Sequence, residues 1–187
     1  MMNPDISHLS IHEICKCMRL PQEISQSYIE MGVRNVYEWQ YDCIVQTGVA
    51  AGNSIVYCAP TSGGKTLVSE LIINRTATHL RKRAIFVLPF VSLVLEKENY
   101  FKRLLRRYFR SCNKFNRFKI KSYHSDINGY RIKNDELIII CTIEKANVIV
   151  NSLIGRGLGH TIGCVVIDEM HTLGDSFNGY LLEILVR

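Results

Sequence analysis

The most specific chemical signal in the sequence is a short glycine-containing loop, Ala59-Pro-Thr-Ser-Gly-Gly-Lys-Thr66. Gly63 and Gly64 lack Cβ atoms, so the backbone can wrap around a phosphate and direct successive N–H groups at it. The Lys65 ammonium would reach the β- and γ-phosphates of a nucleotide, and the Thr66 hydroxyl would hold Mg²⁺. These residue types, in this order, predict a binding site for a triphosphate and its metal ion.

The setting of this loop favours phosphate binding over a simpler alternative, a Gly-Gly turn that only caps a helix. An apolar run ends at Cys58 and a helical pattern begins near Lys65, which gives the order strand, loop, helix that such a site needs. One residue departs from the generic pattern, since Ala59 stands where Gly-x-x-x-x-Gly-Lys-[Ser/Thr] begins with glycine. The candidate phosphate contacts are Ala59, Pro60, Thr61, Ser62, Gly63, Gly64, Lys65 and Thr66.

A second chemical signal is the pair of carboxylates that follows the apolar run Cys164-Val-Val-Ile167. Asp168 would bind Mg²⁺ through water at the carboxyl edge of a parallel strand, where ligands of open α/β sheets lie. Glu169 is placed to orient and deprotonate an attacking water. The pair alone could simply begin an exposed loop, but its combination with the glycine loop favours chemistry. The candidate catalytic residues are Lys65, Asp168 and Glu169, and the candidate metal ligands are Thr66 and Asp168.

Alternating strand and helix patterns supply the elements that must position these groups. Short apolar runs rich in β-branched residues predict strands that are buried on both faces. The alternation predicts right-handed βαβ units and an α/β fold, a three-layer sandwich around a mainly parallel central sheet. The predicted strands are Ile55–Cys58, Ala84–Leu88, Ile120–Tyr123, Leu137–Cys141 and Cys164–Ile167, and the predicted helices are Lys65–His79, Leu93–Phe109 and Glu144–Leu153.

A short helical segment is expected before this α/β unit. The pattern from Asp5 to Thr47 is helical in pieces, which Pro21 and Gly32 separate, and a third helix is expected from about Val36 to Val49. We therefore expect a helical N-terminal segment over residues 1–33 and a nucleotide-binding domain over residues 34–187. The last apolar helical run stops at the final residue without a capping Gly or Pro, so we expect the chain to be a piece of a longer polypeptide.

The composition is that of an ordinary globular protein and excludes several classes. With 187 residues, 47% hydrophobic and 21% charged, the chain has the size of one domain and is too apolar for intrinsic disorder. Its longest nearly apolar stretch, Phe86 to Leu95, is far shorter than the ~20 residues of a membrane span. The seven cysteines are odd in number and scattered, which favours reduced intracellular thiols over disulfides or a zinc site.

The formal net charge is +6, and the excess is concentrated between Asn99 and Ser125, where no acidic residue occurs. A basic block of this kind can bind a polyanion. The apolar residues from Phe101 to Tyr108 repeat at three- and four-residue spacing, however, so a solvated face of an amphipathic helix at about residues 96–110 is the favoured interpretation. The basic residues are Lys102, Arg103, Arg106, Arg107, Arg110, Lys114, Arg117, Lys119 and Lys121.

Several segments are similar to the motifs of a known enzyme family. With Asp168-Glu-Met-His171, the sequence resembles superfamily 2 helicases of the DExH type, whose first motif commonly begins with alanine, as at Ala59. The resemblance covers nearly the whole chain after about residue 20 and implies a RecA-like domain. It is strongest to the branch of DNA-repair helicases that includes the helicase domain of DNA polymerase theta. The matching segments are Val36-Tyr-Glu-Trp-Gln40, Ala59-Pro-Thr-Ser-Gly-Gly-Lys-Thr-Leu-Val-Ser-Glu-Leu71, Leu88-Pro-Phe-Val-Ser92, Cys141-Thr-Ile-Glu-Lys-Ala-Asn147, and Val165-Val-Ile-Asp-Glu-Met-His-Thr-Leu-Gly-Asp-Ser176 followed by Gly179-Tyr-Leu-Leu-Glu183.

This resemblance implies roles for residues that the chemistry alone does not single out. Gln40 matches the glutamine of the Q motif, which hydrogen-bonds adenine and selects ATP. His171 matches the histidine that links ATP hydrolysis to the nucleic-acid side. Residues 142–145 also fit a helix N-cap with an acidic first turn, and both interpretations can hold together. The residues that match the family's contacts with the nucleic-acid backbone are Pro89, Phe90, Ser92, Thr142, Glu144 and Lys145.

The resemblance further implies ATP and Mg²⁺ as cofactors, a nuclear location, and DNA, single-stranded or partly duplex, as the partner. We expect the family's second RecA-like domain, whose arginine fingers contribute on the order of 10³–10⁵ in rate, to lie beyond residue 187. The segment Ser122-Tyr-His-Ser-Asp126 departs from the family's Gly-Tyr-x-Gly. The leading hypothesis is the ATP-binding half of a DNA helicase. The alternatives are a binding module with negligible turnover on its own, an RNA helicase of the same superfamily, and a different phosphate-loop ATPase.

Overall fold

Two short helices open the described part of the chain. The computed structural model describes residues 9–60, 63–124 and 132–169. Its first helices are α1 (Ile11–Cys17) and α2 (Gln22–Glu30). Pro21 precedes α2 directly, and Gly32 follows it with a φ of +91°. The two helix breaks predicted from these residues are therefore confirmed.

Within the described residues, four parallel strands form the central sheet, in the order β2-β3-β1-β4. Every residue of the two inner strands, β1 and β3, is buried, as their continuous apolar runs predicted. The burial on both faces predicted for the other two strands is wrong, because β2 contains exposed residues and β4 is only partly buried. Four of the five predicted strands are confirmed to within two residues at each end. The observed strands are β1 (Arg83–Leu88), β2 (Lys119–Tyr123), β3 (Glu136–Thr142) and β4 (Ile162–Ile167).

Helices cover both faces of this sheet. Alternate residues of β1 point to opposite faces, so that Phe86 lies in one hydrophobic cluster with α1, α2, α4 and α5, whereas Val87 lies in another with α7. The predicted three-layer α/β sandwich is therefore confirmed. Among the described residues, no helix has the length and apolar character needed to cross a membrane. The remaining helices are α3 (Glu38–Val45), α4 (Lys65–Thr78), α5 (Val91–Leu104), α6 (Arg106–Ser111) and α7 (Ile143–Gly155).

The N-terminal helices share a hydrophobic core with the α/β unit. Ile14 of α1 and Tyr28 of α2 are both 0% exposed and lie in the same cluster as Leu71 of α4. The Asn74 side-chain amide of α4 donates a hydrogen bond to the Tyr28 hydroxyl at 3.1 Å. The first two helices are therefore packed as part of the same body as α4, while the boundary at residues 33 and 34 stays a prediction.

The strand predicted at Ile55–Cys58 is wrong. Within the part of the chain that the structure describes, this segment pairs with no strand. Ile55 and Tyr57 pack against the core, whereas Val56 is 86% exposed and Cys58 is also exposed. The apolar run predicted burial on both faces, and this is wrong as well, since Ile55 and Tyr57 are only half-buried. A run of apolar residues carries no information about whether a neighbouring strand pairs with it.

Two predicted helices are shorter than expected. The helix predicted at Leu93–Phe109 is divided into α5 and α6 at Leu105, which has φ −88° and ψ 2°. Leu104 and Leu105 are both 0% exposed. Adjacent side chains of a straight helix point about 100° apart, so a break lets both reach the core. The helix predicted from Val36 to Val49 spans only the residues of α3, and Gly48 follows it with a left-handed φ of +73°.

Candidate functional site

The carboxyl ends of three parallel strands bring most of the candidate residues to one edge of the sheet. Leu88 of β1 pairs with Thr142 of β3, and Val87 pairs with Ile167 of β4. The residues that follow these strand ends therefore lie side by side. The pairing of β4 with β1 continues one residue further, because the Asp168 N–H donates to the Val87 carbonyl at 3.1 Å.

The glycine loop contains two positions at which a side chain has no room. Gly64 has a φ of +77° at the start of α4, and a Cβ there would lie 2.5 Å from Gln40 Nε2. A Cβ on Gly63 would lie 2.8 Å from the Pro60 carbonyl oxygen, which accepts a hydrogen bond from the Gly63 N–H at 2.9 Å. The shape of the loop itself therefore requires glycine at both positions, in addition to any requirement of a bound phosphate.

Gln40 holds the glycine loop to α3. Its side chain is buried, with 1% of the residue exposed. Gln40 Oε1 accepts from the Tyr37 N–H at 2.8 Å, and Gln40 Nε2 donates to the Gly64 carbonyl at 2.8 Å. In this structure the glutamine thus ties the first turn of α3 to the start of α4, and its predicted contact with adenine stays a prediction.

Lys65 lies in the first turn of α4 with its ammonium turned into the loop. The Lys65 Nζ donates to the carbonyls of Ala59 at 2.8 Å and Pro60 at 3.0 Å. The Tyr57 hydroxyl donates to the Lys65 carbonyl at 3.0 Å and lies 2.7 Å from the Ser69 hydroxyl oxygen. Burial raises the pKa of Tyr57, which keeps this hydroxyl a donor. The loop therefore holds a cation among neutral carbonyl oxygens, which anionic phosphate oxygens can replace.

Asp168 and Glu169 follow β4 directly, next to α4, which packs against this strand. Burial is the main cause of the raised pKa of Tyr57 and of Glu70, and the negative charge of Asp168 raises both further. The Asp168 carboxylate is therefore within electrostatic reach of the glycine loop and of α4. Glu169 has a left-handed φ of +59°, and its N–H donates to Asp168 Oδ1 at 3.0 Å. Backbone strain of this kind is concentrated at functional sites.

The oxygen donors at this edge fit Mg²⁺. Asp168 contributes a carboxylate, and Thr66, in the first turn of α4, contributes a hydroxyl. Within residues 9–60, 63–124 and 132–169, no group of three or more His, Cys, Asp or Glu could hold a metal ion by itself. Nucleotide-bound Mg²⁺ keeps several waters and takes one or two carboxylates together with phosphate oxygens. This sparse donor set therefore suits a metal ion that arrives with a nucleotide.

The first group of predicted nucleic-acid contacts lies where β1 passes into α5. Pro89 follows the strand, Phe90 is the N-cap of α5 and is 61% exposed, and Ser92 is exposed in the first turn. The first N–H groups of an α-helix have no partners within the helix and attract anions. This helix start therefore presents donors at the same sheet edge as Asp168.

The second group lies where β3 passes into α7. Thr142 is the N-cap of α7, Glu144 is exposed in the first turn, and Lys145 is half-buried. The predicted N-cap position is confirmed. The Thr142 residue is only 6% exposed, however, and its hydroxyl makes no capping hydrogen bond to α7, all of whose residues are described. The capping role of the threonine side chain that the sequence predicted is therefore absent from this helix start.

The predicted site residues that the structure describes thus lie toward one edge of the sheet, and three further predicted residues cannot be placed. Lys65 and Thr66 at the start of α4 share one sheet edge with Asp168 and Glu169 after β4. The two predicted nucleic-acid segments lie at the same edge. Thr61, Ser62 and His171 lie outside the described residues, so their predicted roles stay predictions.

A buried charged cluster lies between α4 and α5 and was not predicted from the sequence. Glu70 is 4% exposed; its Oε1 lies 3.2 Å from Lys97 Nζ, and its Oε2 accepts from the Tyr100 hydroxyl at 2.5 Å. Burial raises the pKa of Glu70, and the positive charge of Lys97 opposes this rise. One signal was present in the sequence, because Glu70 is the only charged residue in the otherwise uncharged stretch 67–73.

The chain is similar to known helicases. The profile of the family described as DEAD/DEAH box helicase matches residues 37–187. The chain is 41% identical over 167 residues to DNA polymerase theta of Mus musculus, a match that covers 89% of this chain and 6% of the relative. It is 32% identical over 172 residues to Helicase POLQ-like of Homo sapiens, covering 88% of this chain and 15% of the relative. The chain thus spans a small part of these relatives.

The fold is similar to that of a solved helicase. The structure of the DUF1998 helicase MrfA bound to DNA and AMPPNP matches with a TM-score of 0.69 at 20% identity, covering 88% of this chain and 23% of that chain. This likeness supports the predicted RecA-like fold. The helicase profile covers more than half of the chain and confirms the resemblance seen in the sequence. The chain therefore belongs to the DEAD/DEAH box helicase family.

Proposed function

We propose that this chain is the ATP-binding half of a DNA-dependent helicase motor that acts in DNA repair. Family membership supports a general helicase function, and DEAD/DEAH helicases generally use ATP with Mg²⁺. The relative named DNA polymerase theta supports DNA as the nucleic acid. In the proposed motor, ATP hydrolysis drives translocation or unwinding as this domain closes and opens against a second RecA-like domain.

One observation carries the proposal: the glycine loop and two adjacent carboxylates meet at one sheet edge. Bound ATP and Mg²⁺ supply the bond to be hydrolysed and the charge that neutralises its phosphates. Lys65 exchanges the carbonyls of Ala59 and Pro60 for phosphate oxygens. Asp168 would hold Mg²⁺ through water, and Glu169 would orient the attacking water and take its proton.

The same edge offers a way to hold a nucleic-acid strand. The first turns of α5 and α7 present backbone N–H groups next to the polar side chains of Ser92 and Lys145. Groups of this kind bind phosphates and carry no sequence information. The proposed motor therefore grips the backbone of DNA irrespective of its sequence.

We further propose that residues 1–187 alone bind nucleotide and nucleic acid but hydrolyse little ATP. The chain covers 6% and 15% of the two relatives described above. In related NTPases an arginine finger from outside the phosphate loop contributes about 10³–10⁵ in rate. Addition of the second RecA-like domain is expected to restore the rate.

Lys65→Ala in the full-length protein tests the proposal. We expect DNA-stimulated ATPase activity to fall at least ~100-fold and the affinity for ATP to fall with it, because the loop loses its cation. The melting temperature should change little, since among the described residues the Lys65 ammonium donates only to the carbonyls of Ala59 and Pro60. Lys102→Ala is the matched control, because Lys102 is an exposed lysine on α5 that pairs with Glu98. Retained ATPase activity in Lys65→Ala would refute the assignment of the loop.

The choice between DNA and RNA needs its own measurement. The ATPase rate of the full-length protein is compared in the presence of single-stranded DNA, duplex DNA and RNA of matched length. The proposal expects stimulation by DNA with a single-stranded part. Stronger stimulation by RNA would overturn the DNA assignment and favour an RNA helicase of the same superfamily.

A further inference from the structure

The buried charged cluster joins the helix that carries the glycine loop to the helix that begins at the nucleic-acid edge. Glu70 lies in the second turn of α4, and Lys97 and Tyr100 lie on one face of α5. The side chains of Glu70 and Lys97 are 5% and 18% exposed. Lys97 Nζ also lies 4.8 Å from the centroid of the Tyr100 ring, so each member of the cluster contacts the other two.

The two oxygens of the Glu70 carboxylate are shared between the two α5 residues. Lys97 pairs with Oε1, and Tyr100 donates to Oε2. A buried carboxylate is unfavourable unless it is paired and hydrogen-bonded, so movement of α4 relative to α5 would disrupt both contacts. The cluster therefore fixes the position of one helix against the other more strictly than apolar contacts would.

Stability alone is a poor explanation for this cluster. The neighbouring α4 residues Val68 and Leu71 are 0% exposed and already fill the core at this face of the sheet. Replacing a buried ion pair with apolar side chains of similar volume is often neutral or stabilising. The charges at this point consequently indicate a role in specifying how the two helices are arranged.

The two helices begin at the two halves of the proposed site. α4 begins at Lys65 in the glycine loop, and α5 begins at Val91, directly after Phe90. The negative charge of Asp168 also raises the pKa of Glu70, after the larger effect of burial. A change at the phosphate end of α4 can therefore reach the start of α5 through a few contacts between regular elements.

We propose that Glu70, Lys97 and Tyr100 couple nucleotide binding at α4 to nucleic-acid binding at the start of α5, with Glu70 as the positioning residue. The inference rests on the proposed function, since it assigns a route between its two binding sites. Coupling of this kind is reciprocal: nucleotide changes the affinity for DNA by the same factor by which DNA changes the affinity for nucleotide.

The test measures this coupling factor in the full-length protein. The Kd of a nonhydrolysable ATP analogue is measured with and without single-stranded DNA, and the Kd of the DNA with and without the analogue. The variants are Glu70→Gln, Lys97→Met and Tyr100→Phe. We expect the coupling factor to fall toward 1, by about fivefold or more, while each separate affinity changes less than about twofold. A merely structural role would weaken both affinities without changing the coupling factor.

Lys102→Met is the matched control. It removes the Lys102–Glu98 pair on the same helix, with 53% and 14% of the side chains exposed, and should leave the coupling factor unchanged. If Glu70→Gln fails to fold, Tyr100→Phe decides, because it removes a single hydroxyl. Unchanged coupling in Lys97→Met and Tyr100→Phe overturns the inference, and so does a wild-type protein that binds both ligands independently. A wild-type protein that binds neither nucleotide nor DNA instead overturns the proposed function.

Discussion

Two features require glycine at position 64: its left-handed φ and the close approach of the Gln40 side chain. Gly157 shares the left-handed φ but has no close neighbour, so it serves as a comparison. Gly64 and Gly157 have nearly the same left-handed φ, +77° and +70°. A Cβ on Gly64 would lie 2.5 Å from Gln40 Nε2, whereas a Cβ on Gly157 would meet nothing within 4 Å. An alanine in the left-handed region costs about 1–2 kcal/mol at either position. Only at Gly64 does it also displace the buried hydrogen bonds of Gln40.

We therefore expect Gly64→Ala to lower the free energy of unfolding by about 1–3 kcal/mol more than Gly157→Ala, because a buried hydrogen bond is lost as well. Nucleotide affinity should fall at least ~10-fold in Gly64→Ala, because loss of the Gln40 hydrogen bond distorts the loop that binds the phosphates. A tenfold change in Kd corresponds to about 1.4 kcal/mol of binding free energy. Urea unfolding and calorimetric titration with an ATP analogue measure the two effects. Equal behaviour of the two variants would show that Gln40 does not hold the loop.

The sequence allowed prediction of site residues whose relationship is local. Lys65 and Thr66 follow the two glycines immediately, and Asp168 follows a recognisable strand. Glu70 could not be identified in the same way, because its partners Lys97 and Tyr100 are 27 and 30 residues away along the chain. Contacts over such separations depend on which face two helices turn toward each other, and a single sequence does not contain that information.

At the scale of elements, the presence of paired strands was predicted more reliably than their burial. The continuous apolar runs of β1 and β3 identified strands covered on both faces, and the start of α4 at Lys65 was predicted correctly. The strands β2 and β4 pair as predicted but are only partly buried. Ile55–Cys58 pairs with no described strand, and the helix predicted at 93–109 is divided at Leu105. These differences come from tertiary packing, which apolar periodicity reflects only in part.

The course of α5 separates the basic block from the proposed site. The helix begins at the carboxyl edge of the sheet and runs for 14 residues, a length of about 21 Å. The following α6 leads to Lys119, where β2 begins at the opposite edge. Lys145, by contrast, lies in the first turn of α7 at the site edge.

Reversing charges in the basic block should therefore have little effect on DNA affinity. We expect the combined change Arg103→Glu, Arg106→Glu and Arg110→Glu to alter the affinity for single-stranded DNA less than about threefold and to leave its salt dependence unchanged. Arg107 is kept, because it pairs with Glu30 of α2. Lys145→Glu should weaken binding and reduce the slope of log Kd against log salt by about 1. A large loss of affinity in the triple variant would instead show that the basic block contacts the bound DNA.

At the scale of the whole molecule, the N-terminal helices and the α/β unit share one hydrophobic core. A cavity made by shortening a buried side chain of α1 should therefore lower the free energy of local unfolding of α4. Ile14→Ala should lower the opening free energy of the α4 amides by about 2–5 kcal/mol, the usual effect of removing a buried isoleucine side chain. Hydrogen exchange read by mass spectrometry measures it in the full-length protein.

Ile154→Ala is the control for this experiment, because Ile154 is 59% exposed and its loss should change the opening free energy by less than about 0.5 kcal/mol. If the α4 amides keep their protection from hydrogen exchange in Ile14→Ala, the N-terminal helices unfold independently of the α/β unit. If the amides of α1 and of α4 both lose protection, the N-terminal helices unfold together with the α/β unit.

The strand order also has a consequence for the nascent chain on the ribosome. β1 lies between β3 and β4, both of which are synthesised after it, and all six of its residues end up buried. Roughly 80 further residues must emerge before β1 has both neighbours, which takes about 4–16 s at 5–20 residues per second. During that interval β1 has at least one unpaired edge that is available to chaperones.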